Sequence, residues 1–216
     1  DLMLTKDFQK GIRHGLPIAF GYLSVSFAFG MKAVGDGLTW LQAVMISAMN
    51  LTSAGQMAGL PLMTGGASLT EMALTQLTIN LRYGLMSLSL GRKLDGTMGT
   101  LQRMIFSFAN TDEIFAVASS QPGQVGKRYL YGLMLTPFLG WTLGTLLGAL
   151  AGTLLPAFVR SALGIAIYGM FLAIILPPSR EQRPVRLVVA LAVVLSVAFR
   201  YVPWLNRVSS GFAIII

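Results

Sequence analysis

The sequence predicts an all-α integral membrane protein, a polytopic helical bundle of about five to eight membrane segments. Three observations predict it. Hydrophobic residues make up 54% of the 216 positions and charged residues only 11%, less than half of the quarter that soluble domains usually carry. Mean hydropathy is +0.68, and the apolar residues come in runs close to the roughly 20 needed to cross a bilayer core. Most of the 16 basic residues sit in the short loops between those runs. The net charge of +8 therefore reads as the loop bias of a membrane protein and not as a nucleic-acid surface.

The runs follow in order. Residues 15–34 form a first span, too long for a secretory signal and without a small-residue cleavage site behind it. Residues 69–90, 129–155, 158–176 and 185–202 are further spans, the last with Pro184 at a helix start, where its missing N–H costs nothing. A final apolar run, 208–216, is too short to span, and the chain opens at Asp1 without a methionine. Both ends read as truncation of one transporter domain over 1–216, with a further helix expected at the C-terminus. A Gly-rich helix, turn and second apolar segment occur in both halves, so an internal repeat relating 15–92 to 129–202 is expected.

Two segments differ from the rest. The run 40–63 is interrupted by the polar stretch 50–56, and 104–119 by 110–113. Such residues are tolerated at membrane depth where they are buried in protein or line a cavity, and broken helices build many transporter sites. Loop charges weigh the alternatives. If both segments span, Lys6, Lys10, Arg13, Lys127, Arg128, Arg180, Arg183 and Arg186 face one side and Arg92, Lys93, Arg103, Arg160, Arg200 and Arg207 the other, eight against six. If both are broken or re-entrant and return to their own side, the count becomes eleven against three, which the positive-inside rule prefers. The two breaks are then expected to face each other near the middle of the membrane.

Several residues carry candidate chemistry. Asp112 and Glu113 are costly inside a membrane, each about 2.5–3.5 kcal/mol at a helix centre, and are candidates for proton coupling. Asp112 is expected to face the cavity, beside Asn110 and Thr111, with Glu113 pairing with Arg82 or reaching the interface. The other reading makes Thr111 and its neighbours a helix cap at the interface. Arg82 lies too deep in its span to snorkel and needs a carboxylate or a bound anion. Asn50, Thr52, Ser53, Gln56, Asn80, Arg82 and Asn110 are the candidate solute-binding residues. Gly132, Thr136, Gly140, Gly144, Gly148 and Gly152 recur every four residues and make a close-packing stripe. Gly55 and Gly59 repeat that spacing once, and an exposed stripe is expected to bind another membrane subunit.

Enzyme chemistry has little to stand on. The single His14 lies at the start of the first span, Cys is 0, and no His-Glu-x-x-His pair, Gly-x-Ser-x-Gly elbow or phosphate loop occurs. No metal or cofactor is expected. A passive pore and a non-transporting scaffold subunit remain as rivals to a transporter.

The ordered motifs Gly15-Leu-Pro-Ile-Ala-Phe-Gly-Tyr22, Phe29-Gly30, Ser53-Ala-Gly-Gln56, Asn80-Leu-Arg-Tyr83 and Thr111-Asp-Glu113, with the Gly-rich fifth segment and the Arg-rich loop 180–186, resemble the large subunit of the AzlC-type branched-chain amino-acid exporters. The resemblance runs from about residue 11 to the C-terminal end. Met57 and Tyr83 depart from it, where an aromatic residue and a histidine are common. The resemblance implies export of leucine, isoleucine, valine and methionine from a prokaryotic cytoplasm across the inner membrane, driven by the proton gradient. It also implies a second membrane subunit of about four helices, of the AzlD type.

Overall fold

The computed structural model describes residues 6–215, with the backbone throughout and only part of the side chains between 153 and 174. Asp1 and Ile216, on which the reading of truncated ends rested, lie outside the described residues. Five long helices carry the fold: α1 (Lys6–Gly35), α4 (Leu69–Gly91), α7 (Lys127–Leu154), α8 (Ala157–Glu181) and α9 (Arg183–Tyr201). Between them lie two pairs of short helices, α2 (Trp40–Met49) with α3 (Ser53–Thr64) and α5 (Thr100–Phe108) with α6 (Asp112–Ser119). A 3-10 turn (Leu205–Arg207) and α10 (Ser210–Ile215) follow. Lys6–Gly35, Lys127–Gly152 and Arg183–Tyr201 are each long and apolar enough to cross a membrane. The 23 residues of α4 reach about 34 Å at 1.5 Å per residue, also enough to cross.

The glycine stripe of α7 lies against α1 along its whole length. Gly132 meets the backbone of Phe8, Gly140 that of Ala19, Gly144 that of Leu23 and Gly148 that of Phe27. The numbers rise together, so the two helices run parallel. A Cβ added at Gly140 would sit 2.6 Å from the Ala19 carbonyl oxygen, and at Gly152 it would sit 3.3 Å from Met31 Cα. Without those side chains the two backbones approach closely and gain dispersion contacts that lipid cannot match. The expected inter-subunit role of the stripe is overturned, because its surface is consumed within the chain. Gly55 and Gly59 likewise meet Gln76 of α4.

Three apolar clusters fix the vertical order. Phe29 and Ala33, near the end of α1, pack with Ala43 of α2, Leu60 of α3 and Ala149 of α7. Tyr22, midway along α1, packs with Leu51, Ala109 and Trp141. Leu90 at the end of α4 packs with Phe106 of α5, Ile114 and Ala118 of α6, and Tyr129 and Leu133 at the start of α7. Thus α2 runs from the far face to mid-height and α3 returns to the far face. From the N-terminal face α5 rises, and α6 goes back. Both odd segments are re-entrant hairpins inserted from opposite faces, and α4 crosses between them. This is the arrangement with eleven basic residues against three.

The last described helix docks on the first turn of α4. Glu71, buried in the first turn of α4, accepts from the Gly211 amide at 3.1 Å and from the Ser209 hydroxyl. One carboxylate therefore ties α10 to α4.

Candidate functional site at the hairpin tips

Both tips use the same local construction. In the first, the Thr52 amide bonds back to the Asn50 carbonyl at 3.0 Å, and the Thr52 hydroxyl accepts from the Gly55 amide at 3.2 Å. In the second, the Thr111 amide bonds to the Ala109 carbonyl at 2.9 Å, and the Thr111 hydroxyl caps the Ile114 amide at 3.5 Å. A tight turn followed by a threonine N-cap thus starts a half-helix at mid-height. Asn, Thr and Ser favour such breaks because their side chains compete for backbone groups. The breaks are shorter than the polar stretches: 50–52 and 109–111 leave the helix, while Ser53–Gln56 and Asp112–Glu113 are already helical.

The tips meet around a small cavity of ≈ 30 Å³ lined by Tyr22, Ser53, Tyr83, Thr111, Asp112 and Glu113, with Leu51 and Trp141. Its volume suits a water or two. The N-termini of α3 and α6 both open onto it, and the partial positive charge of α6 favours the two carboxylates in its first turn.

Arg82 pairs with a carboxylate of the second tip, but with Asp112 and not with the expected Glu113. Arg82 Nη1 binds Asp112 Oδ2 at 2.5 Å, Arg82 Nη2 donates to the Tyr83 hydroxyl at 3.2 Å, and the guanidinium lies over the Tyr83 ring at 4.8 Å. Glu113 instead takes Tyr22, whose hydroxyl is 2.5 Å from Glu113 Oε2 and 2.6 Å from Thr111 Oγ1. Having one proton, that hydroxyl donates to the carboxylate and is free to accept from Thr111. Adjacent helical residues diverge by about 100°, which sends the two carboxylates to different partners. Asp112 is the neutralised one.

The remaining sequence candidates divide among four places. Ser53 lines the cavity between the tips. Thr52 donates to Asn80 Oδ1 at 3.0 Å, which latches the first hairpin to α4, and Asn80 Nδ2 donates to Gln76 of the same helix at 3.1 Å. Gln56 is 1% exposed. Its Nε2 donates to Ser47 Oγ (3.1 Å) and the Asn50 carbonyl (3.0 Å). Ser47 in turn lies 2.7 Å from Thr145 Oγ1 on α7. Asn50 and Gln56 border a groove of ≈ 830 Å³ walled by Met45, Met49, Met63 and Met72. Asn110 donates to Ser87 at 3.1 Å and borders a different cavity, between α4 and α5.

Sequence reading did not single out Trp141. It is 3% exposed, packs edge-on to Tyr22 at 5.2 Å, and its indole N–H has no partner among the described residues. The signal available was the residue type: a buried Trp N–H or Tyr O–H in an apolar span calls for an acceptor. The site thus combines carboxylate acceptors, hydroxyls and an unused N–H donor. Among the described residues no group of three or more His, Cys, Asp or Glu side chains is placed to hold a metal.

A polytopic helical membrane protein with opposed re-entrant hairpins is the class that fold and site define. The AzlC protein family matches residues 17–155, and the chain belongs to that family, a family of membrane transporters. The inner membrane protein YgaZ of Escherichia coli is 29% identical over 191 residues, covering 85% of this chain and 78% of that protein. An uncharacterized membrane protein of Archaeoglobus fulgidus is 33% identical over 172 residues, 79% of this chain and 75% of its own. One from Helicobacter pylori is 29% identical over 152 residues, 68% and 65%. No solved structure matches the chain.

Proposed function

We propose that this chain is the large subunit of a proton-driven exporter of branched-chain amino acids and methionine in a prokaryotic cytoplasmic membrane. The single observation that carries the reading is the meeting of two re-entrant tips around Glu113, Tyr22 and the unpartnered Trp141 N–H. A zwitterion needs an anion for its ammonium and donors for its carboxylate. Glu113 is the anion not already matched by arginine, and Trp141 with the N-terminus of α3 supplies donors. The methionine-walled groove beside the first tip gives an aliphatic or thioether side chain an adaptable wall. Glu113 binds the ammonium in one half-cycle and a proton in the other. The excess of basic residues on the N-terminal face supports a cytoplasmic orientation for it.

A smaller membrane subunit completes the transporter. The Arg82 and Asp112 side chains are 46% and 45% exposed on this chain alone, at mid-height of α4. Charge facing lipid there costs about 2.5–3.5 kcal/mol per residue, so protein covers this face. The partner sits over Arg82 and Asp112, and the glycine stripe takes no part.

Substrate-dependent thermal stabilisation of the purified complex across a panel of amino acids, followed by counterflow of labelled leucine in vesicles, tests the reading. Saturable, pH-dependent counterflow with stabilisation by leucine, isoleucine, valine and methionine is expected. Unsaturable flux without stabilisation by any amino acid replaces the exporter with a passive pore.

A further inference from the structure

The cavity between α4 and α5 is separate from the site at the tips. It measures ≈ 400 Å³ and is lined by Ser87, Arg92, Arg103, Ser107 and Asn110 together with Leu88, Leu90, Leu94 and Phe106. That is within the range of small-molecule pockets. Arg92 caps the end of α4 and Arg103 lies in the first turn of α5, so both cations stand at the N-terminal face. Neither has a carboxylate partner among the described residues, where the ion pairs are Lys32–Asp36 and Arg82–Asp112. Arg103 spends only Nε, on the Met98 carbonyl at 3.3 Å.

The deep end of the cavity is polar as well. Asn110 is 3% exposed, and its Oδ1 is buried without a partner. Its neighbour in the chain, Thr111, lines the cavity between the tips. An acyl chain would gain nothing from an unpaired amide oxygen in that position. A solute with an anionic group at one end and a donor at the other matches cations at the mouth and an acceptor at the base. Basic residues at a low-dielectric mouth also raise the local concentration of anions, by about 10-fold or more.

We infer that this cavity is the loading vestibule for a carboxylate-bearing solute, drawn in by Arg92 and Arg103 and passed, donor end first, to Asn110 beside the second tip. The assignment of the solute as an amino acid rests on the exporter reading above. The anion selectivity of the vestibule stands on the geometry alone.

The 216 residues contain Cys 0, so labelling of Ser107→Cys is read as the increment over the same complex without that change. The full complex carrying this change, in vesicles open to reagent on the N-terminal face, is treated with anionic and cationic methanethiosulfonates of similar size. The anionic reagent is expected to react about 10-fold faster, and adding Arg92→Gln and Arg103→Gln should bring the ratio to about one. Leucine should slow labelling, while leucinol, which lacks the carboxylate, should not. Equal rates with both arginines present overturn the vestibule. So does protection that appears only in vesicles containing anionic phospholipid, which makes the cavity a headgroup site. An anionic preference blocked by simple carboxylates but by no amino acid keeps the vestibule and removes the amino-acid reading.

Discussion

The two re-entrant hairpins are built alike and employed differently. Each enters from its own face, turns at mid-height, and restarts as a helix capped by threonine. Hairpin α2–α3 holds no ionisable side chain from Trp40 to Thr64. Its polar groups are spent within the protein: Gln56 on Ser47 and Asn50, Ser47 on Thr145, Thr52 on Asn80. Hairpin α5–α6 carries Asp112 and Glu113 at its tip and is held by Arg82 and Tyr22. Hydroxyls and amides have no charge state to change, so the first tip is suited to being fixed. Carboxylates can exchange proton, arginine and ammonium, so the second can switch. Tyr22 and Trp141, on α1 and α7, give both tips a common wall.

The comparison breaks most completely if the common wall goes. Gly144→Leu drives a side chain into the Leu23 backbone and Ser26 of the same chain, and overpacking against rigid backbone costs about 3 kcal/mol or more. Loss of folded monomer in detergent is expected, by size-exclusion chromatography and thermal melting. A monomer that folds normally but no longer binds a partner would restore the inter-subunit role of the stripe.

Next comes the switching tip. Glu113→Gln keeps the hydrogen bond from Tyr22 and removes the exchangeable charge. Gradient-driven leucine export should fall to background, the exchange that remains should lose its pH dependence, and the melting temperature should hardly move. Active, pH-sensitive export by this variant would return the coupling role to Asp112.

A smaller effect is expected from Arg82→Gln, which leaves Asp112 unmatched on a half-exposed face. On this chain alone the cost should lie between that of surface and buried pairs, about 1–3 kcal/mol in thermal unfolding. Adding Asp112→Asn should recover most of it. Recovery measured in a double-mutant cycle marks a structural pair; none marks Arg82 as a ligand for solute or partner.

The smallest effect falls on the fixed tip. Ser47→Ala and Thr145→Val each remove one link of the buried hydroxyl chain and should cost about 1 kcal/mol in thermal unfolding, with leucine export unchanged in rate. A rate that falls far more than stability would show that the first hairpin also moves.

Run length and residue chemistry made much of this legible in advance. A long helix stands at each of the five predicted spans, as apolar runs of bilayer length require. The two breaks follow from Asn, Thr and Ser placed where a helix in lipid needs unbroken backbone bonding. Loop arginines favoured the re-entrant arrangement, since hairpins returning to their own faces put eleven basic residues on one side. These are local or additive properties, and a sequence carries them without reference to the fold.

Side-chain pairing was beyond reach for the opposite reason. Whether Arg82 takes Asp112 or Glu113 depends on the rotation of α6 about its own axis, which its packing through Ile114 and Ala118 sets. The glycine stripe declares that some backbone comes close; only the parallel docking of α1 makes that backbone its own. Trp141 and Tyr22 look like ordinary span aromatics until three elements bring them to one cavity with a carboxylate. Periodicity and hydropathy fixed which segments enter the membrane and where they break. Tertiary structure alone decided which polar atoms share the centre, because contacts between residues some 90 to 120 positions apart depend on how helices rotate and dock, and no local pattern records that.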